Sequence, residues 1–378
     1  MLMTSRERLF AALNGEPTDR TPIWLLFPWH WYGSYVDVRK LPHYKRIANL
    51  AEQYCITLNR RNIGVKWNTD EVSVTWEKID NAEEKINRQT IRYKDITLWS
   101  ERGTRRGQDI NKKLLDSVED IEAICEMPVE YDEKIIDAAL VPQFAKYDAE
   151  KAEFPEHLGA MMLDMGEPIS LIYHNSNLEE MSIASFYEET SAKVTAFLAR
   201  LNEQKKIVYR KTLERGMADV YFMVGSELAA PPMVGIDTFN KWIVPFAKDL
   251  TEQIHNYGKH VIQHYHGQIK HILEGFVEMG ADAVHTIESP PVGNCTITEA
   301  YEVVGDKLAL IGNVQYDDFR SMSREQMRKT VNDLLDEVAG RRFILSPSAG
   351  PYDPNVDERF INNYETFIET GFNYRVKG

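Results

Sequence analysis

From about residue 158 onward, short apolar runs alternate with segments that have a helical spacing of apolar positions. Runs of this length without polar alternation are typical of strands buried on both faces of a parallel sheet. An earlier run, Pro22–Phe27, predicts one more buried strand near the start of the chain. The later runs are Leu158–Leu163, Val220–Val224, Val261–His264, Ala283–Ile287, Leu308–Ile311 and Phe343–Leu345.

The segments between these runs carry signals for the start and end of helices. Thr4 and Glu7 form a capping-box pattern ahead of apolar residues at helical spacing, and Ser323 begins a second such segment. Asp237 is predicted to cap a third helix that runs to a stop at Gly258. Residues 110–155 are charged and helical in pattern. The chain therefore predicts strands and helices in alternation.

This alternation predicts a parallel sheet, and the number of units favours a (β/α)8 TIM barrel. The alternative, a doubly wound open sheet, lacks the G-x-G-x-x-G turn after its first strand. Val72, Val74 and Trp76 alternate with polar residues, which predicts an early β-hairpin or small sheet inserted at about 65–110. No repeat or low-complexity linker interrupts the sequence, so we predict one domain over 1–378.

The composition of the chain limits the classes of partner that the protein can bind. The 378-residue chain has a formal net charge of −14, which argues against binding nucleic acid, because phosphate backbones need a basic surface. Its three cysteines are far apart, as in reduced cytoplasmic proteins. No stretch reaches the ~20 apolar residues that span a bilayer, and the N-terminus has no signal-peptide core. We expect a cytoplasmic protein that binds no membrane.

Polar residues that directly follow the apolar runs are candidates for chemistry, because barrel enzymes place catalytic groups at the carboxyl ends of strands. His264 and His266 are two apart, so both can face one divalent ion or substrate, or form ordinary hydrogen bonds. Glu227 and Glu288 follow neighbouring strands. Each can be a metal ligand or a carboxylate that only stabilises its loop. Together the four suit zinc. His285 has the opposite parity from Glu288 and is predicted to be structural.

An aromatic segment, Trp24–Tyr32, follows the first predicted strand. It can line a pocket for a flat apolar ligand, with Trp29, His30 and Trp31 as contacts, or pack between the barrel mouth and the inserted hairpin. Other candidate substrate contacts follow the last two runs. These are Asn313, Gln315 and Ser348.

Several motifs together resemble the uroporphyrinogen decarboxylase-like superfamily. They are Ser5–Trp24, Gly258–Gly267, Gly280–Ala283 with Glu288–Pro291, Ile311–Gln315 and Phe343–Ser348. The resemblance implies a (β/α)8 barrel with one of two activities. One branch decarboxylates uroporphyrinogen without a cofactor. The other contains zinc-dependent methyltransferases that move methyl groups to or from a corrinoid (cobalamin) carried by a small partner protein.

The sequence departs from both branches. Resemblance to the decarboxylase branch would imply an arginine-rich loop after the first strand, which neutralises the eight carboxylates of the substrate. The corresponding segment here, Leu25–Gly33, contains no arginine. The methyltransferase branch binds zinc through an H-x-C-G pattern and a later cysteine. Here His264-Tyr-His266-Gly267 has histidine in place of that cysteine, and the later cysteine is absent near Ser348. Glu227 and Glu288 would complete a harder nitrogen and oxygen site.

The sequence thus predicts a methyltransferase that moves a methyl group from a small donor, such as a methoxylated aromatic, to a corrinoid on a partner protein. His264, His266 and Glu227 would be catalytic, with zinc held by these three and Glu288. One alternative is cofactor-free decarboxylation, of uroporphyrinogen type or of a smaller substrate, with the two histidines as proton donors. Another is a barrel that binds without turnover. A homodimer is the candidate oligomeric state.

Overall fold

A computed structural model describes residues 2–33, 35–227 and 229–375. The strands are β1 (Thr57–Asn62), β2 (Ser73–Asp80), β3 (Glu84–Tyr93), β4 (Ile96–Arg105), β5 (Gln108–Lys112), β6 (Gly159–Met165), β7 (Val220–Met223), β8 (His260–His264), β9 (Ala283–His285), β10 (Ala309–Val314) and β11 (Phe343–Pro347). The helices are α1 (Ser5–Asn14), α2 (Lys45–Tyr54), α3 (Val118–Cys125), α4 (Glu133–Glu153), α5 (Ser170–Asn175), α6 (Leu178–Phe186), α7 (Glu188–Arg215), α8 (Ile236–Trp242), α9 (Val244–His255), α10 (Leu273–Glu278), α11 (Ile297–Val304), α12 (Asp318–Ser321), α13 (Arg324–Glu337) and α14 (Glu358–Asn373). Two short 3-10 turns cover Glu156–Leu158 and Lys270–Ile272.

Seven strands form one parallel sheet in the order β1-β6-β7-β8-β9-β10-β11. The first predicted strand provides the eighth position. Ile23 forms a parallel bridge with Leu345 of β11, and Trp24 forms another with Ile56 beside β1. The backbone amide of Trp24 donates to the carbonyl of Leu345 at 2.9 Å, and the amide of Ile56 donates to Ile23 at 2.8 Å. These bonds close the sheet, so the predicted TIM barrel is confirmed and the open sheet is not.

The barrel interior is filled by alternate side chains of the strands, as the pleat requires. Large and small residues share this interior. They include Trp24, Leu58, Met162, Phe222, Ile262, Ala283, Ile311 and Ile344, all buried. The opposite faces of the same strands pack against the surrounding helices in two further apolar clusters. The later strands of the barrel, from β6 to β11, are therefore covered on both faces, which explains their continuous apolar runs.

The predicted insertion is present as a four-stranded antiparallel sheet in the order β2-β3-β4-β5. It lies between β1 and α3 in the chain and reaches Lys112, slightly beyond the predicted end. Edge strand β2 is almost fully exposed, with Trp76 70% accessible. Among the described residues, no helix is long and apolar enough to cross a membrane.

The predicted helix ends are correct at two positions and wrong at a third. Thr4 and Ser323 both form capping boxes. The helix assigned to Asp237 is instead two helices, because the chain breaks at Ile243. The first, α8, is capped by Gly235. Pro245 lies in the first turn of α9, where its missing N–H costs nothing, and this position favours a new helix start.

The close approach of β1 to β6, which the closed barrel requires, can be tested by substituting Gly159. A Cβ atom at Gly159 would lie 2.0 Å from the backbone carbonyl oxygen of Thr57, its partner in the sheet. We expect Gly159→Ala to lower the free energy of unfolding by at least about 2 kcal/mol, because backbone must move to relieve the clash. Urea denaturation measures this. Gly64→Ala is the matched control, because nothing lies within 4 Å of its new Cβ, and its change should stay within about 0.5 kcal/mol. Equal stability of the two variants would contradict the close approach of β1 to β6.

Candidate active site

Five polar or aromatic side chains meet at the carboxyl ends of neighbouring strands, inside the barrel. They are Arg60 on β1, Asp164 on β6, Phe222 on β7, His264 on β8 and His285 on β9. The sheet register aligns Asp164 with Phe222 and His264 with His285. These residues lie where barrel enzymes carry out chemistry, above the apolar layers of the interior.

Arg60 and Asp164 form a buried ion pair. The guanidinium Nε lies 2.8 and 2.7 Å from the two carboxylate oxygens. Arg60 Nη1 donates to the Tyr35 hydroxyl at 2.7 Å, and the Tyr32 hydroxyl donates to Asp164 at 2.6 Å. Burial raises the pKa of Asp164, and the charge of Arg60 opposes that rise. The Arg60–Asp164 pair therefore has no net charge. Its hydrogen bonds to Tyr32 and Tyr35 also connect the segment after the first strand to β1 and β6.

One nitrogen of Arg60 is still available. Among the described residues, Nη2 has no recorded hydrogen-bond partner and is not sealed from solvent. The Arg60 guanidinium also lies 4.8 Å from the centre of the Phe222 ring and 5.2 Å from that of Tyr32. A cation that is held by aromatic faces and one carboxylate can still donate a hydrogen bond to a ligand at the mouth.

His264 and His285 form a stacked pair beside Phe222. Their ring centres are 5.0 Å apart, and their Nδ1 atoms are 2.8 Å apart. Burial lowers the pKa of His264 well below its usual value and that of His285 to about 3. Both rings are therefore neutral at physiological pH, and each carries one proton.

The hydrogen bonds of the pair fix where these protons are. His285 Nε2 lies 3.2 Å from the carbonyl oxygen of Pro347, which can only accept, so Nε2 carries the proton of His285. His285 Nδ1 must then accept from Nδ1 of His264. The remaining nitrogen, Nε2 of His264, keeps its lone pair and has no recorded partner among the described residues. It can accept a proton or a hydrogen bond, or bind a metal.

His266 and Glu288 lie next to this pair at the rim. His266 Nδ1 is 3.4 Å from the Glu288 carboxylate, and the rings of His264 and His266 are 4.6 Å apart. Glu288 is buried and also accepts from the backbone amide of Gly267 at 2.7 Å. His266 is 38% accessible through its side chain. The structure thus brings together three of the four residues predicted to bind zinc.

The fourth, Glu227, is oriented differently. Its carboxylate accepts from the backbone amide of Gly225 at 2.7 Å, which matches the loop-carboxylate alternative. Among the described residues, no group of three or more histidine, cysteine, aspartate or glutamate side chains is placed to hold a metal ion. The described residues therefore show no complete zinc ligand set, although His264 Nε2 keeps a lone pair, and zinc binding stays a prediction.

The structure corrects the interpretation of His285 as a purely structural residue. The parity comparison with Glu288 assumed an extended strand between them, but β9 ends at His285. His285 points into the barrel beside its register partner His264. Its contact sets the proton position of His264, so it is a positioning residue of the candidate site.

Within the aromatic segment, Trp29 and His30 lie against the carboxyl end of helix α4, and Trp24 packs inside the barrel. Trp29 packs edge-on against Phe154, with Arg39 3.7 Å above its ring. His30 Nε2 is 3.2 Å from the Glu153 carboxylate, and Trp31 is 61% accessible. None of these hydrogen bonds and ring contacts involves His264. Substrate contact by Trp29, His30 and Trp31 stays a prediction without support from these contacts.

The later candidates lie at the ends of β10 and β11. Asn313 Nδ2 donates to the Ser289 hydroxyl at 3.4 Å. The Ser348 hydroxyl donates to the side-chain oxygen of Gln315 at 3.2 Å and accepts from the amide of Tyr316 at 3.1 Å. Asn313, Gln315 and Ser348 thus share the carboxyl face of the barrel with the histidines. Their contact with a substrate stays a prediction.

Sequence reasoning missed Arg60 and Tyr35 as site residues, and it included Tyr32 only as part of the aromatic segment. Strand β1 did not stand out, because its sequence, TLNRRN, is mostly polar. The signal that could have found Arg60 is its two-residue spacing from the buried Leu58, which puts both on the interior face. Asp164 directly follows the predicted run Leu158–Leu163, but nothing in the sequence pairs it with Arg60.

The comparisons with known proteins agree with this fold. Residues 181–369, half of the chain, match the family model described as uroporphyrinogen decarboxylase (URO-D). The structure is similar to a methyltransferase from Methanosarcina mazei, with a TM-score of 0.62, 15% identity and 98% of each chain covered. At that identity the likeness concerns the fold alone. A D-psicose 3-epimerase solved with D-tagatose, from Clostridium cellulolyticum H10, shares 9% identity, with 62% of this chain and 84% of that one covered, and a TM-score of only 0.36. No curated protein sequence matches significantly.

The proton position in the histidine pair is directly testable. We expect nitrogen NMR of the imidazoles to show His264 protonated at Nδ1 and unprotonated at Nε2 between pH 6 and 8, the range above both lowered pKa values. His285→Phe keeps a ring but removes the acceptor, so the Nδ1 preference of His264 should weaken. His157→Gln, at an exposed position, should leave the His264 signals unchanged. A His264 protonated at Nε2 in the unaltered protein would refute the arrangement.

Proposed function

Because the chain belongs to the uroporphyrinogen decarboxylase (URO-D) family, we propose that it uses this barrel mouth to transfer a methyl group from a small methylated donor to a corrinoid carried by a partner protein. A methoxylated aromatic compound is the donor class that suits the site. The similarity in fold to a protein described as a methyltransferase supports the proposal, and so does the charge of the site.

The observation that carries the proposal is that the central cation of the site is already balanced. The arginine at the centre of the mouth, Arg60, is already paired with the carboxylate of Asp164. An octacarboxylate such as uroporphyrinogen needs several unpaired cations, because charge-assisted hydrogen bonds dominate its recognition. A flat donor whose reacting end is uncharged instead gains from the faces of Tyr32, Tyr35 and Phe222, which surround Arg60 within 5.4 Å.

The site can assist the transfer by stabilising the leaving group. When the methyl carbon is attacked, the bond from carbon to oxygen breaks and its electron pair stays on the donor oxygen. Arg60 Nη2 can donate to that developing anion, and so can the hydroxyl of Tyr35, whose proton has no recorded acceptor among the described residues. Donors fixed in advance at such a position act without reorganisation during the reaction.

His264 is suited to orienting the donor. Its neutral ring presents a lone pair at Nε2, which accepts a hydrogen bond from a hydroxyl group on the donor or removes its proton. His285 and the Pro347 carbonyl hold that ring in position. The corrinoid would supply the nucleophile that accepts the methyl group. His266, half exposed at the rim, lies where an approaching partner could contact it.

Zinc remains a prediction of the sequence and enters no step above. Because the ligand set is incomplete in this arrangement, we expect the purified protein to hold clearly less than one zinc ion per chain after dialysis. Mass spectrometric metal analysis measures it. Stoichiometric zinc that is lost in a His264→Ala, His266→Ala double variant would overturn this expectation and restore the zinc site predicted from the sequence.

Decarboxylation of a small substrate is the second candidate. The same free Nη2 of Arg60 that could stabilise a leaving oxygen could also bind one carboxylate. In that case carbon dioxide is released from a carboxylated substrate without any corrinoid. The two candidates therefore differ in product and in the need for a partner protein.

Methyl transfer is tested by mixing the protein with a reduced corrinoid protein and a panel of methoxylated aromatics. We expect methylcobalamin absorbance to appear and kcat to fall about 100-fold in an Arg60→Met, Asp164→Asn double variant. The double change avoids leaving one buried charge unpaired, which alone costs about 3–5 kcal/mol of stability. Tyr131→Phe, at a half-exposed position away from the barrel mouth, is the control and should retain full activity. Carbon dioxide release without methylcobalamin would favour decarboxylation instead.

A further inference from the structure

A cavity of about 540 Å³ lies beside the candidate active site, above the carboxyl ends of β1 and β6. Tyr32 and Asp164 line both this cavity and the active site, so the two spaces are adjacent. Helices α5 and α7 form the outer wall through His174, Gln204 and Lys205. A ligand of moderate length can therefore occupy the cavity with one end and reach the active site with the other.

Most of the cavity wall is apolar. The apolar lining residues include Ile63, Val65, Trp67, Leu171, Leu201 and Val208. Only two described lining residues, Asp164 and Lys205, belong to types that are normally ionised. Asp164 is neutralised by Arg60. His174 is kept neutral, because burial lowers its pKa. A ligand in this cavity therefore meets apolar walls and one amine.

Lys205 has no recorded ion pair or hydrogen bond among the described residues. Its neighbour in sequence, Lys206, pairs instead with Asp249 at 3.2 Å and with Glu203 at 3.5 Å. Burial lowers the pKa of Lys205 to about 8, and the only carboxyl that acts on it is that of Glu167. Glu167 is itself buried and accepts a hydrogen bond from the Ser226 hydroxyl at 2.5 Å. Burial raises the pKa of Glu167 as well, so it is a weak counter-ion.

An ammonium that is half-buried at a cavity wall and has no partner there is poorly solvated, and a bound anion would stabilise it. We propose that the cavity binds an amphipathic monocarboxylate, with its carboxylate on Lys205 and its apolar body against the walls. This inference rests on the proposed function in one respect: it makes the methyl donor a carboxylic acid with a flat apolar body. Binding at Lys205 itself needs no methyl transfer.

Two probes of nearly equal shape test the proposal. These are 3-methoxybenzoate and the uncharged 3-methoxybenzyl alcohol, with binding measured by calorimetry or by the fluorescence of Trp67 in the cavity wall. We expect the acid to bind about tenfold more tightly than the alcohol, because only the acid forms a charge-assisted hydrogen bond with Lys205. Lys205→Met, which keeps an unbranched apolar side chain of similar length, should lose that tenfold for the acid and change the affinity for the alcohol less than twofold.

Lys206→Met is the matched control, since it removes the same charge one position along the same helix and should leave both affinities unchanged. If Lys205→Met binds the acid as tightly as the unaltered protein, the proposal is wrong. Unchanged binding of the alcohol shows that the Lys205→Met variant is folded. The corrinoid protein is absent from this experiment, so a failure of methyl transfer does not affect its outcome. Methyl transfer from neutral donors alone, with Lys205→Met fully active, would overturn only the carboxylate site.

The pH dependence gives an independent readout. The affinity for the acid should be constant from about pH 6 to 7.5 and fall above pH 8, as the Lys205 ammonium loses its proton. The other titratable groups around the cavity are Tyr32, Asp164 on β6, Glu167 after β6 and His174 on α5. A fall above pH 8 that persists in Lys205→Met would assign the effect to one of these groups and contradict the proposal.

Discussion

The candidate site depends on one constraint, which is that a charge inside a barrel must be neutralised there. Arg60 projects into the layer directly above the apolar core, where an isolated guanidinium would be strongly destabilising. Asp164 on the adjacent strand neutralises it, and the hydroxyls of Tyr32 and Tyr35 satisfy further hydrogen bonds. Excellent geometry of this kind is what allows a buried ion pair to persist. The same contacts hold the segment after the first strand over the barrel mouth.

His264 and His285 meet the same constraint in a different way, because they carry no charge. His264 and His285 are buried too deeply to carry charge, so they stay neutral and satisfy each other. The chain of hydrogen bonds ends at the carbonyl of Pro347 on β11, which is a fixed acceptor. A backbone atom two strands away from His285 thus determines which nitrogen of His264 faces the mouth. The neutral state of the two histidines and the lone pair at His264 Nε2 therefore both follow from the exclusion of water from the barrel interior.

The barrel could be predicted because its strands are covered on both faces and read as continuous apolar runs, and the inserted sheet because residues alternate around Trp76. Arg60 could not, since β1 is too polar to stand out and its ion-pair partner lies 104 positions away. Parity holds only while a strand lasts, so it could not fix the directions of the side chains of His264 and His266. Strand β8 ends at His264, so His266 is already in the loop and contacts a carboxylate there. His285, which parity set aside, is the residue in close contact with His264.

Charge, more than fold, separates the chemistries that such a barrel can perform. The fold supplies the same mouth to any occupant, whereas a substrate is selected by the charges it meets there. In this chain the central arginine is balanced by a carboxylate, and the histidines are neutral. The amine of Lys205 is the remaining unbalanced cation among the described residues that line the adjoining cavity. A site whose central cation is already balanced and whose adjoining cavity holds one free cation favours a ligand with one negative charge at one end and a neutral reacting group at the other. That distribution of charge is opposite to the one that a substrate with eight carboxylates requires, and it follows from the few side chains that the barrel places at its carboxyl end.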